Sequence, residues 1–468
     1  MATALLLNSP ACRSRDIPTL DFIPPALLKL LQRLEVNRAV AYLLLSRGWQ
    51  FASGVVTVFL LARCLDGSTR GVYQLFGSLL GMQLFVELGL PGIVVLMTSH
   101  EWSQLRFDTG GRVEGDMVAL GRLSSLHRFV TRWFAVCAIV FLCGVSLDGY
   151  WEIGAKKLQV DWLYPWLALV AVNAAALIYV PKLSILEGCQ QVGTINYYRL
   201  LQAVSGTLVV WAVLVAGGGL WALVASSAAR WGWEFYMVQV RYREAFASLA
   251  GHRETPPTAW FREIRPLFWR IAIQTIGSYF SSYYFIRVVF NFQGDVEAGR
   301  FGMTWTILMT LHAASLSWVL TRSPEFGAMA ARGEHALLRR RLMKTGLISL
   351  AAFLLGAVAF SAVVFGLHQV GVKRADSFLA LPETGLLIAG LALVLLSGLF
   401  QTSVRLYKRD PFLIPNSLSS LLIAVLAWEA GRRYGVMGVA CAYVLVVECW
   451  SLPVSGYLAW RHWLRVEG

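Results

Sequence analysis

The sequence predicts an all-α, polytopic membrane protein with about twelve transmembrane helices in two pseudo-symmetric six-helix bundles. Hydrophobic residues fill 57% of its 468 positions and charged residues only 15%, with a mean hydropathy of +0.59. That leaves too little charge to cover a water-soluble protein of this length. Apolar stretches of membrane-spanning length recur along the chain, and short sequence patterns occur once in each half of it.

The N-terminal segment is expected to stay on the protein, because its first apolar run, residues 5–7, is too short for a signal peptide. Residues 24–36 begin with Pro24-Pro25 and place leucines opposite Lys29 and Arg33. This pattern is typical of a short helix lying in the membrane interface. A disordered tail is the alternative.

Twelve apolar stretches of about 18 to 27 residues follow, each long enough to cross about 30 Å of hydrocarbon as a helix. We expect them at residues 39–64, 71–97, 129–147, 162–185, 196–217, 219–240, 267–291, 298–321, 344–367, 382–403, 412–430 and 435–460. The connections at 217–219 and 430–435 predict tight reversals, and a fusion of two spans there is the main alternative to the count.

Basic residues in the connections predict the orientation. With a cytoplasmic N-terminus, the inner connections hold 29 Lys and Arg and the outer ones 9, so both termini are expected in the cytoplasm. These counts assign basic residues in the first or last four positions of a span to the adjoining connection. The other three of the 41 basic residues, Arg47, Arg230 and Arg287, lie deeper inside predicted spans. The net charge of +14 is therefore matched to an anionic membrane surface, and no nucleic-acid partner is expected.

The chain shows no sign of catalytic, metal or cofactor chemistry. Its seven cysteines form no CxxC pair and mostly lie in apolar runs, so neither a disulfide framework nor a metal site is predicted. The predicted outer connections are short and the inner ones reach only about 25 to 30 residues, too few for a soluble catalytic domain. We therefore expect a protein without cofactor that is not an enzyme.

The longest basic connection, residues 241–266, separates six spans from six more. We expect a cytoplasmic segment at 1–37, an N-terminal bundle at 38–242, a cytoplasmic linker at 243–265 and a C-terminal bundle at 266–468.

Three patterns recur in the same order in the two halves. The pairs are Gly71-Val72-Tyr73 with Gly299-Arg300-Phe301, Ser99-His100-Glu101-Trp102 with Ser323-Pro324-Glu325-Phe326, and Gly219-Leu220-Trp221-Ala222 with Gly435-Val436-Met437-Gly438. Their offsets are 228, 224 and 216 residues. Six spans per half return the chain to its starting side, which predicts a parallel repeat about an axis along the membrane normal and a cavity between the bundles.

Several of these residues resemble those of polysaccharide-biosynthesis membrane proteins, the Wzx-type flippases of lipid-linked oligosaccharides. They belong to the superfamily that also holds the multidrug and toxic-compound extruders and the lipid II flippase. The resemblance covers about residues 38–462 and is carried by Gly71-Val72-Tyr73, Glu87-Leu88-Gly89-Leu90-Pro91, Leu186-Glu187-Gly188, Trp269-Arg270-Ile271-Ala272, Gly277-Ser278-Tyr279-Phe280 and the stretch from Gly299 to Gly327.

This resemblance implies a twelve-span exporter of the MATE-like fold in the bacterial cytoplasmic (inner) membrane. Its cargo would be an undecaprenyl-diphosphate-linked oligosaccharide for O-antigen, capsule or exopolysaccharide synthesis. Membrane lipids, a glycan polymerase and glycosyltransferases would be its partners. Twelve spans favour the polysaccharide branch over the lipid II branch, which has two more.

Arg47 is the leading candidate for engaging the cargo, since a charge deep in the bilayer costs on the order of 3 kcal/mol unless it faces protein or water. It shares a helical stripe with Gln50, Gly54 and Thr57, and guanidinium groups are suited to phosphate. Neutralisation by Glu87 or snorkelling toward the inner surface is the alternative.

The other buried arginines are more ambiguous. Arg230 and Glu234 are spaced i, i+4, so they could bind substrate or form an internal ion pair. Arg287 lies near the outer end of its span and could be a ligand or an interfacial anchor. Aromatic rings could stack on sugars, and the candidates are Trp49, Trp211, Trp231, Trp305 and Trp318.

Four titratable residues inside the spans could couple transport to an ion, namely Glu87, Glu234, His312 and Glu448. Buried structural roles are the alternative for each. A cation-coupled drug or metabolite antiporter on the same fold is the second functional hypothesis, and a scaffold of glycan assembly is the third. Three deep arginines against three deep glutamates mildly favour an anionic ligand.

Overall fold

The computed structural model describes residues 38–156, 158–252, 259–370, 376–407 and 410–467. The predicted interfacial helix at 24–36 lies outside these residues. The described chain is helical apart from one short antiparallel hairpin, in which Leu105 pairs with Gly115 and Phe107 with Val113. The sequence analysis did not predict this hairpin, which lies in the connection after the second span.

The elements of the first half are α1 (Arg38–Cys64), α2 (Gly67–Leu80), α3 (Gln83–Glu87), α4 (Leu90–Trp102), β1 (Leu105–Phe107), β2 (Val113–Gly115), α5 (Met117–Gly154), α6 (Leu163–Leu177), α7 (Val180–Gly188), α8 (Val192–Val215), α9 (Trp221–Tyr236), the π-helical turn Met237–Arg241 and α10 (Arg243–Gly251). Those of the second half are α11 (Trp260–Ser282), α12 (Tyr284–Gln293), α13 (Asp295–Leu320), α14 (Ser323–Ala331), α15 (His335–Gln369), α16 (Leu381–Arg405), α17 (Leu413–Val446), the π-helical turn Val447–Ser451 and α18 (Leu452–Glu467).

Length and composition alone identify seven membrane-spanning helices in the described chain, and an eighth span if α2–α3 and α4 are joined across a 44° bend. One of the seven, residues 413–465, is 53 residues long, about 80 Å at 1.5 Å per residue and far longer than one crossing. The predicted spans 39–64, 219–240 and 267–291 coincide with helices outside this count. Each of the three carries one of the deep arginines.

The 53-residue stretch is two helices joined by a reversal at Gly435, where φ is 63° and ψ is −143°. A Cβ atom on Gly438 would lie 2.2 Å from the carbonyl oxygen of Ala430, a contact that a straight helix cannot make across eight residues. Gly219, its partner in the sequence repeat, also has a positive φ, 54°, and lies between α8 and α9. The two predicted reversals are therefore present, and both use a glycine in the left-handed region.

Local sequence explains where the second span starts and bends. Asp66 caps α2, because its side chain accepts hydrogen bonds from the backbone N–H groups of Ser68 and Thr69 at 3.1 and 3.2 Å. Leu88 and Gly89 have φ values of 49° and 70°, which ends α3 before a new helix begins with Pro91 in its first turn. The span is thus broken beside Glu87.

The helices of the two halves pack in the same pattern. In the first half α1 packs on α8, α5 on α6, and α6 on α9. In the second half the corresponding pairs are α11 with α17, α15 with α16, and α16 with α18. Together with the largely helical content, this repeated packing confirms the predicted all-α class and the two pseudo-symmetric helical bundles.

The repeat residues meet each other where α2 crosses α13. A Cβ atom on Gly299 would lie 3.0 Å from the backbone nitrogen of Gly71, and one on Gly302 would lie 2.5 Å from Cγ of Gln74. Both pairs are 228 residues apart in the chain, the offset of the first repeat pattern. Equivalent residues contact each other only at a two-fold axis, so the pseudo-symmetry axis passes through this crossing.

The same end of the molecule, predicted to face outward, is held closed by apolar and polar contacts between the halves. One hydrophobic cluster includes Phe76 and Trp166 from the first half and Phe285 and Phe301 from the second, each no more than 1% exposed. The hydroxyl of Ser78 donates to the carbonyl oxygen of Tyr283 at 2.6 Å. The polar cavity described next lies beside the N-terminal half of α1, away from this packed end.

Candidate functional site: an arginine-lined cavity in the first half

Arg47 lies nine residues into α1, about 14 Å along the helix axis. Its side chain is exposed, and Nη1 donates to Oε1 of Gln50 at 3.4 Å. Among the described residues no carboxylate lies within 4.0 Å of it. The alternative in which Glu87 neutralises Arg47 is therefore not seen, since the Glu87 carboxylate accepts a hydrogen bond from Gln83 instead.

Arg47 and Gln50 form one wall of a cavity of about 360 Å³ between α1, α8 and α9. Among the described residues that line it, three are arginines, one is alanine, and the rest carry hydroxyl or amide groups: Ser46, Arg47, Gln50, Asn196, Arg199, Gln202, Ala203, Ser226, Ser227 and Arg230. No carboxylate belongs to this lining. The surface thus offers many hydrogen-bond donors and three positive charges, which suits an anionic ligand.

The predicted stripe on α1 divides along its length. Gly54 faces α13, where a Cβ atom would lie 4.0 Å from Cγ2 of Thr310. Thr57 faces α8, and its hydroxyl accepts a hydrogen bond from Trp211 Nε1 at 2.9 Å. Only the inner half of the stripe, Arg47 and Gln50, therefore reaches the polar cavity.

Arg199 is a cavity residue that the sequence analysis missed. Its guanidinium donates to Oδ1 of Asn196 at 3.3 Å and to Oε2 of Glu187 at 3.2 Å, and its side chain remains 49% exposed. It was counted among the inner basic residues because it lies in the first turns of its span. The polar spacing of Asn196, Arg199 and Gln202 on α8 is the signal that could have identified it.

Arg230 faces Arg47 across the cavity from α9. Nη2 donates to Oδ1 of Asn173 at 3.2 Å, and Nε lies 3.7 Å from Oε1 of Glu234. The predicted i, i+4 ion pair is thus present, but the Arg230 side chain is still 44% exposed while that of Glu234 is 9% exposed. The ion pair holds the base of the guanidinium, and its outer edge remains available to a ligand.

The carboxylates lie behind the arginines. Glu234 and Glu87 are both close enough to Arg230 to interact electrostatically with it, and Glu87 ends α3 at the break in the second span. These two of the four residues predicted to couple ions therefore lie beside the cavity, although neither lines it.

Several buried polar atoms near the cavity have no hydrogen-bond partner among the described residues. They include Nε of Arg230, Oε2 of Glu234 and the indole nitrogens of Trp49 and Trp231. Buried donors and acceptors are nearly always paired with protein, water or a ligand. Unpaired groups of both kinds at one place are what a hydrated binding cavity would show.

Arg287, predicted as a ligand for substrate or an interfacial anchor, is held by two carboxylates from the first half. Nη2 lies 2.7 Å from Oδ1 of Asp148 and Nε lies 2.8 Å from Oε2 of Glu152. Both carboxylates belong to the last turns of α5, which continues seven residues beyond the predicted end of its span. Arg287 therefore ties the second half to the first at the predicted outer end.

The two aromatic candidates Trp305 and Trp49 also differ in whether they lie near the cavity. Trp305 is 4% exposed, and its Nε1 donates to the carbonyl oxygen of Ser282 at 2.8 Å, so it is packed in the core in this conformation. Trp49 lies two residues from Arg47 and stacks obliquely on Trp211 with ring centroids 6.3 Å apart. Trp49, and not Trp305, therefore lies near the cavity.

The remaining predicted coupling residues lie in the second half. His312 packs edge-on against Phe353 with centroids 6.0 Å apart, and its Nε2 has no partner among the described residues. Glu448 is exposed on the π-helical turn 447–451. Neither contacts the arginine-lined cavity.

The corresponding region of the second half, between α11, α16, α17 and α18, holds a network of neutral amide and hydroxyl groups. Gln401 and Asn416 exchange two amide hydrogen bonds of 3.2 and 3.0 Å, and Gln401 also donates to Ser397. The Ser397 and Ser455 hydroxyls are 2.9 Å apart. These amide and hydroxyl groups satisfy one another.

Comparison with protein-family models and with curated protein sequences finds no match. Solved structures do match over nearly the whole chain. An inward-facing multidrug resistance transporter of the MATE family aligns with a TM-score of 0.64 at 12% identity, covering 90% of this chain and 94% of its own. The lipid II flippase MurJ in an inward closed conformation aligns with a TM-score of 0.58 at 12% identity, covering 90% of each chain.

A MOP-superfamily transporter from Pyrococcus furiosus, described by the reverse polarity of its binding pocket, aligns with a TM-score of 0.52 at 10% identity over 92% of this chain and 96% of its own. Identities this low show the fold alone. The chain is a multi-pass membrane protein with the fold of these solved structures, which confirms the predicted MATE-like exporter fold.

Proposed function

We propose that this protein is an alternating-access flippase that moves an undecaprenyl-diphosphate-linked oligosaccharide across the cytoplasmic membrane for polysaccharide biosynthesis. The observation that carries the proposal is the cavity lining, with three guanidinium groups and no carboxylate among the described residues. A diphosphate crossing a low-dielectric layer needs compensating positive charge, and guanidinium groups supply it with several donors each.

Arg47 is assigned the central role in this proposal. Arg199 and Arg230 each have a carboxylate within 4.0 Å, whereas the one partner of Arg47 among the described residues is the neutral amide of Gln50. Its positive charge is thus the least compensated of the three. Arg47 would engage the diphosphate, with Gln50 and Arg230 as further donors and Trp49 beside the first sugar.

The neighbours' descriptions support this assignment as analogies. MurJ is described as a lipid II flippase, and the Pyrococcus furiosus transporter by a binding pocket of reverse polarity. A multidrug transporter for cations requires an acidic cavity, and this one is basic. Glu87 and Glu234 lie behind Arg230, where they could supply ion coupling. A glycan polymerase and glycosyltransferases would be the functional partners.

The test uses a strain whose own gene is deleted and that carries wild-type or variant protein. Wild-type protein should restore surface glycan, and Arg47→Ala should abolish export while the amount of protein inserted in the membrane stays the same. Arg63→Ala is the matched control, because Arg63 lies in the last turn of the same helix and outside the cavity lining. It should export normally.

Unchanged export by Arg47→Ala would remove this residue from the mechanism. Normal surface glycan in the deletion strain, combined with new sensitivity to cationic drugs that the wild-type gene corrects, would overturn the flippase proposal in favour of a cation-coupled antiporter.

A further inference from the structure

A second, larger cavity lies on the other side of the first half, between α3, α5 and the start of α11. It has a volume of about 620 Å³, within the range of small-molecule binding sites. The arginine-lined cavity is formed by α1, α8 and α9, so the two share no lining residue. We call the second cavity the α5 groove.

One face of α5 forms the length of this groove. Arg128, Arg132, Val136 and Val140 all line it, and their spacing of four residues places them in one row along the helix. The row extends over twelve residues, about 18 Å, which is close to the thickness of half a hydrocarbon core of about 30 Å. The basic residues are at the end predicted to face the cytoplasm, and the valines lie toward the bilayer centre.

The upper part of the groove is open and apolar. Val136 and Val140 are 62% and 57% exposed, and the opposite wall is formed by Phe85 and Leu88 of the second span. The lower end is closed by Trp260 of α11, whose Nε1 donates to Ser125 Oγ at 2.6 Å. The groove therefore opens sideways toward hydrocarbon and belongs to both halves of the protein.

The basic end of the groove carries a positive charge that no described carboxylate neutralises. Arg122, further down α5, is paired with Glu101 and Glu263 at 2.8 and 3.0 Å, and Arg128 donates to the carbonyl oxygen of His252. Arg132 is exposed and, within the described part of the chain, has neither a carboxylate nor a hydrogen-bond partner. A positive charge above an apolar trough is complementary to a lipid that carries a phosphate.

We propose that the α5 groove is a binding site for an anionic phospholipid of the cytoplasmic leaflet, with its phosphate on Arg132 and Arg128 and an acyl chain along Val136 and Val140. A phospholipid fits better than the glycan-bearing cargo. The α5 groove offers almost no hydroxyl or amide group for sugars, whereas the arginine-lined cavity offers many. This site is separate from the proposed transport function.

The test measures which lipids the purified full-length protein retains. Protein is incubated with equal amounts of phosphatidylglycerol and phosphatidylcholine in detergent, and bound lipid is counted by native mass spectrometry. Wild-type protein should retain phosphatidylglycerol preferentially. Arg132→Gln should lower that retention about tenfold, as expected for loss of one charge-assisted contact. Arg243→Gln, which removes an exposed charge away from the groove, should leave it unchanged.

A second pair of variants fills the groove without changing charge. Val136→Trp should reduce retention, whereas Ile139→Trp should not, because Ile139 is equally exposed at 63% on the same helix but does not line the groove. Equal retention of the two lipids by wild-type protein, or unchanged retention by Arg132→Gln and Val136→Trp, would overturn the proposal. Displacement of phosphatidylglycerol by equimolar undecaprenyl diphosphate would also overturn it, because the groove would then hold the cargo.

Discussion

The two halves of this protein share a helix-packing pattern but place different chemistry at the same position within it. In the first half, between α1, α6, α8 and α9, lie Arg47, Arg199, Arg230 and Asn173. In the second half, between α11, α16, α17 and α18, lie Gln401, Asn416 and a set of serines. One site is charged with unused donors, and the other is neutral with its groups paired.

The two sites are therefore suited to different roles, the first to ligand binding and the second to stabilising the helix packing. A buried neutral network whose donors and acceptors are satisfied stabilises and specifies a packing arrangement. Exposed guanidinium groups with spare donors do little for stability and remain available to a ligand. Gene duplication would explain the shared packing pattern, and the difference in charge between the two sites then follows from a few side chains in the first half.

The largest expected effect is on ligand binding in the first half. Arg47→Gln combined with Arg230→Gln should weaken binding of undecaprenyl diphosphate at least about 100-fold, because each lost charge-assisted hydrogen bond contributes about 1.5 kcal/mol or more. The matched double variant in the second half, Gln401→Leu with Asn416→Leu, should bind the lipid within about twofold of wild type. Equilibrium binding to protein in nanodiscs measures both, and equal losses in the two variants would show that the halves do not differ in this way.

A guanidinium outside the cavity should behave as a structural group. Arg287→Gln leaves Asp148 and Glu152 facing each other without their cation, so it should lower the free energy of unfolding by about 3 kcal/mol, the lower end for a broken buried ion pair. Lipid binding to the folded protein should not change. Chemical unfolding in detergent measures the stability. A binding loss as large as that of the Arg47→Gln, Arg230→Gln double variant would instead place Arg287 in the binding site.

The close crossing of α2 and α13, where the two halves meet, can be tested by substituting glycines of α2. Gly71→Ala would place Cβ 1.9 Å from the carbonyl oxygen of Asp295, so α2 and α13 must separate, at an expected cost of about 2 kcal/mol. Gly77→Ala on the same helix meets nothing within 4 Å and should be neutral or stabilising by up to about 1 kcal/mol. Thermal unfolding in detergent measures both, and equal effects of the two variants would contradict the close crossing.

The smallest effect is expected in the neutral network of the second half. Gln401→Leu alone leaves the Asn416 amide without its two partners and should destabilise the protein by about 1 kcal/mol. Adding Asn416→Leu should recover part of that loss, since no unpaired amide then remains. The double variant should fold and transport normally, and a loss of transport at unchanged stability would show that this network also contacts cargo.

The positions of the helices and the deep arginines were predictable from the sequence because a lipid environment restricts the solutions. Apolar length fixes the spans, and the glycines at 219 and 435 mark reversals that only a left-handed residue makes easily. The cavity was predicted in part, since Arg47 and Arg230 were identified on separate helices. That they share one wall with Arg199 depends on how α1, α8 and α9 pack, which periodicity does not specify.

The contacts of Arg287 and Trp305 could not be predicted for the same reason, because they also depend on how the helices pack. Asp148 and Glu152 lie beyond the apolar part of their span and were treated as connection residues, so the ion pairs that occupy Arg287 were invisible. Trp305 was a candidate because an aromatic ring can stack on a sugar. Its contacts with Phe285 and Tyr443, at centroid distances of 5.2 and 5.7 Å, place it in the core. Which residue a side chain meets across helices is tertiary information.

Transport of a lipid-linked glycan can be measured with purified protein in sealed vesicles that carry a fluorescently labelled undecaprenyl-diphosphate oligosaccharide. A membrane-impermeant reductant then quenches the label in the outer leaflet only. Wild-type protein should render nearly all of the label accessible to the reductant, whereas Arg47→Ala protein should leave the inner-leaflet fraction protected, as in vesicles without protein. Protection of the inner leaflet by wild-type protein, or equal loss of protection with Arg47→Ala, would contradict an arginine-lined path for an anionic lipid-linked glycan.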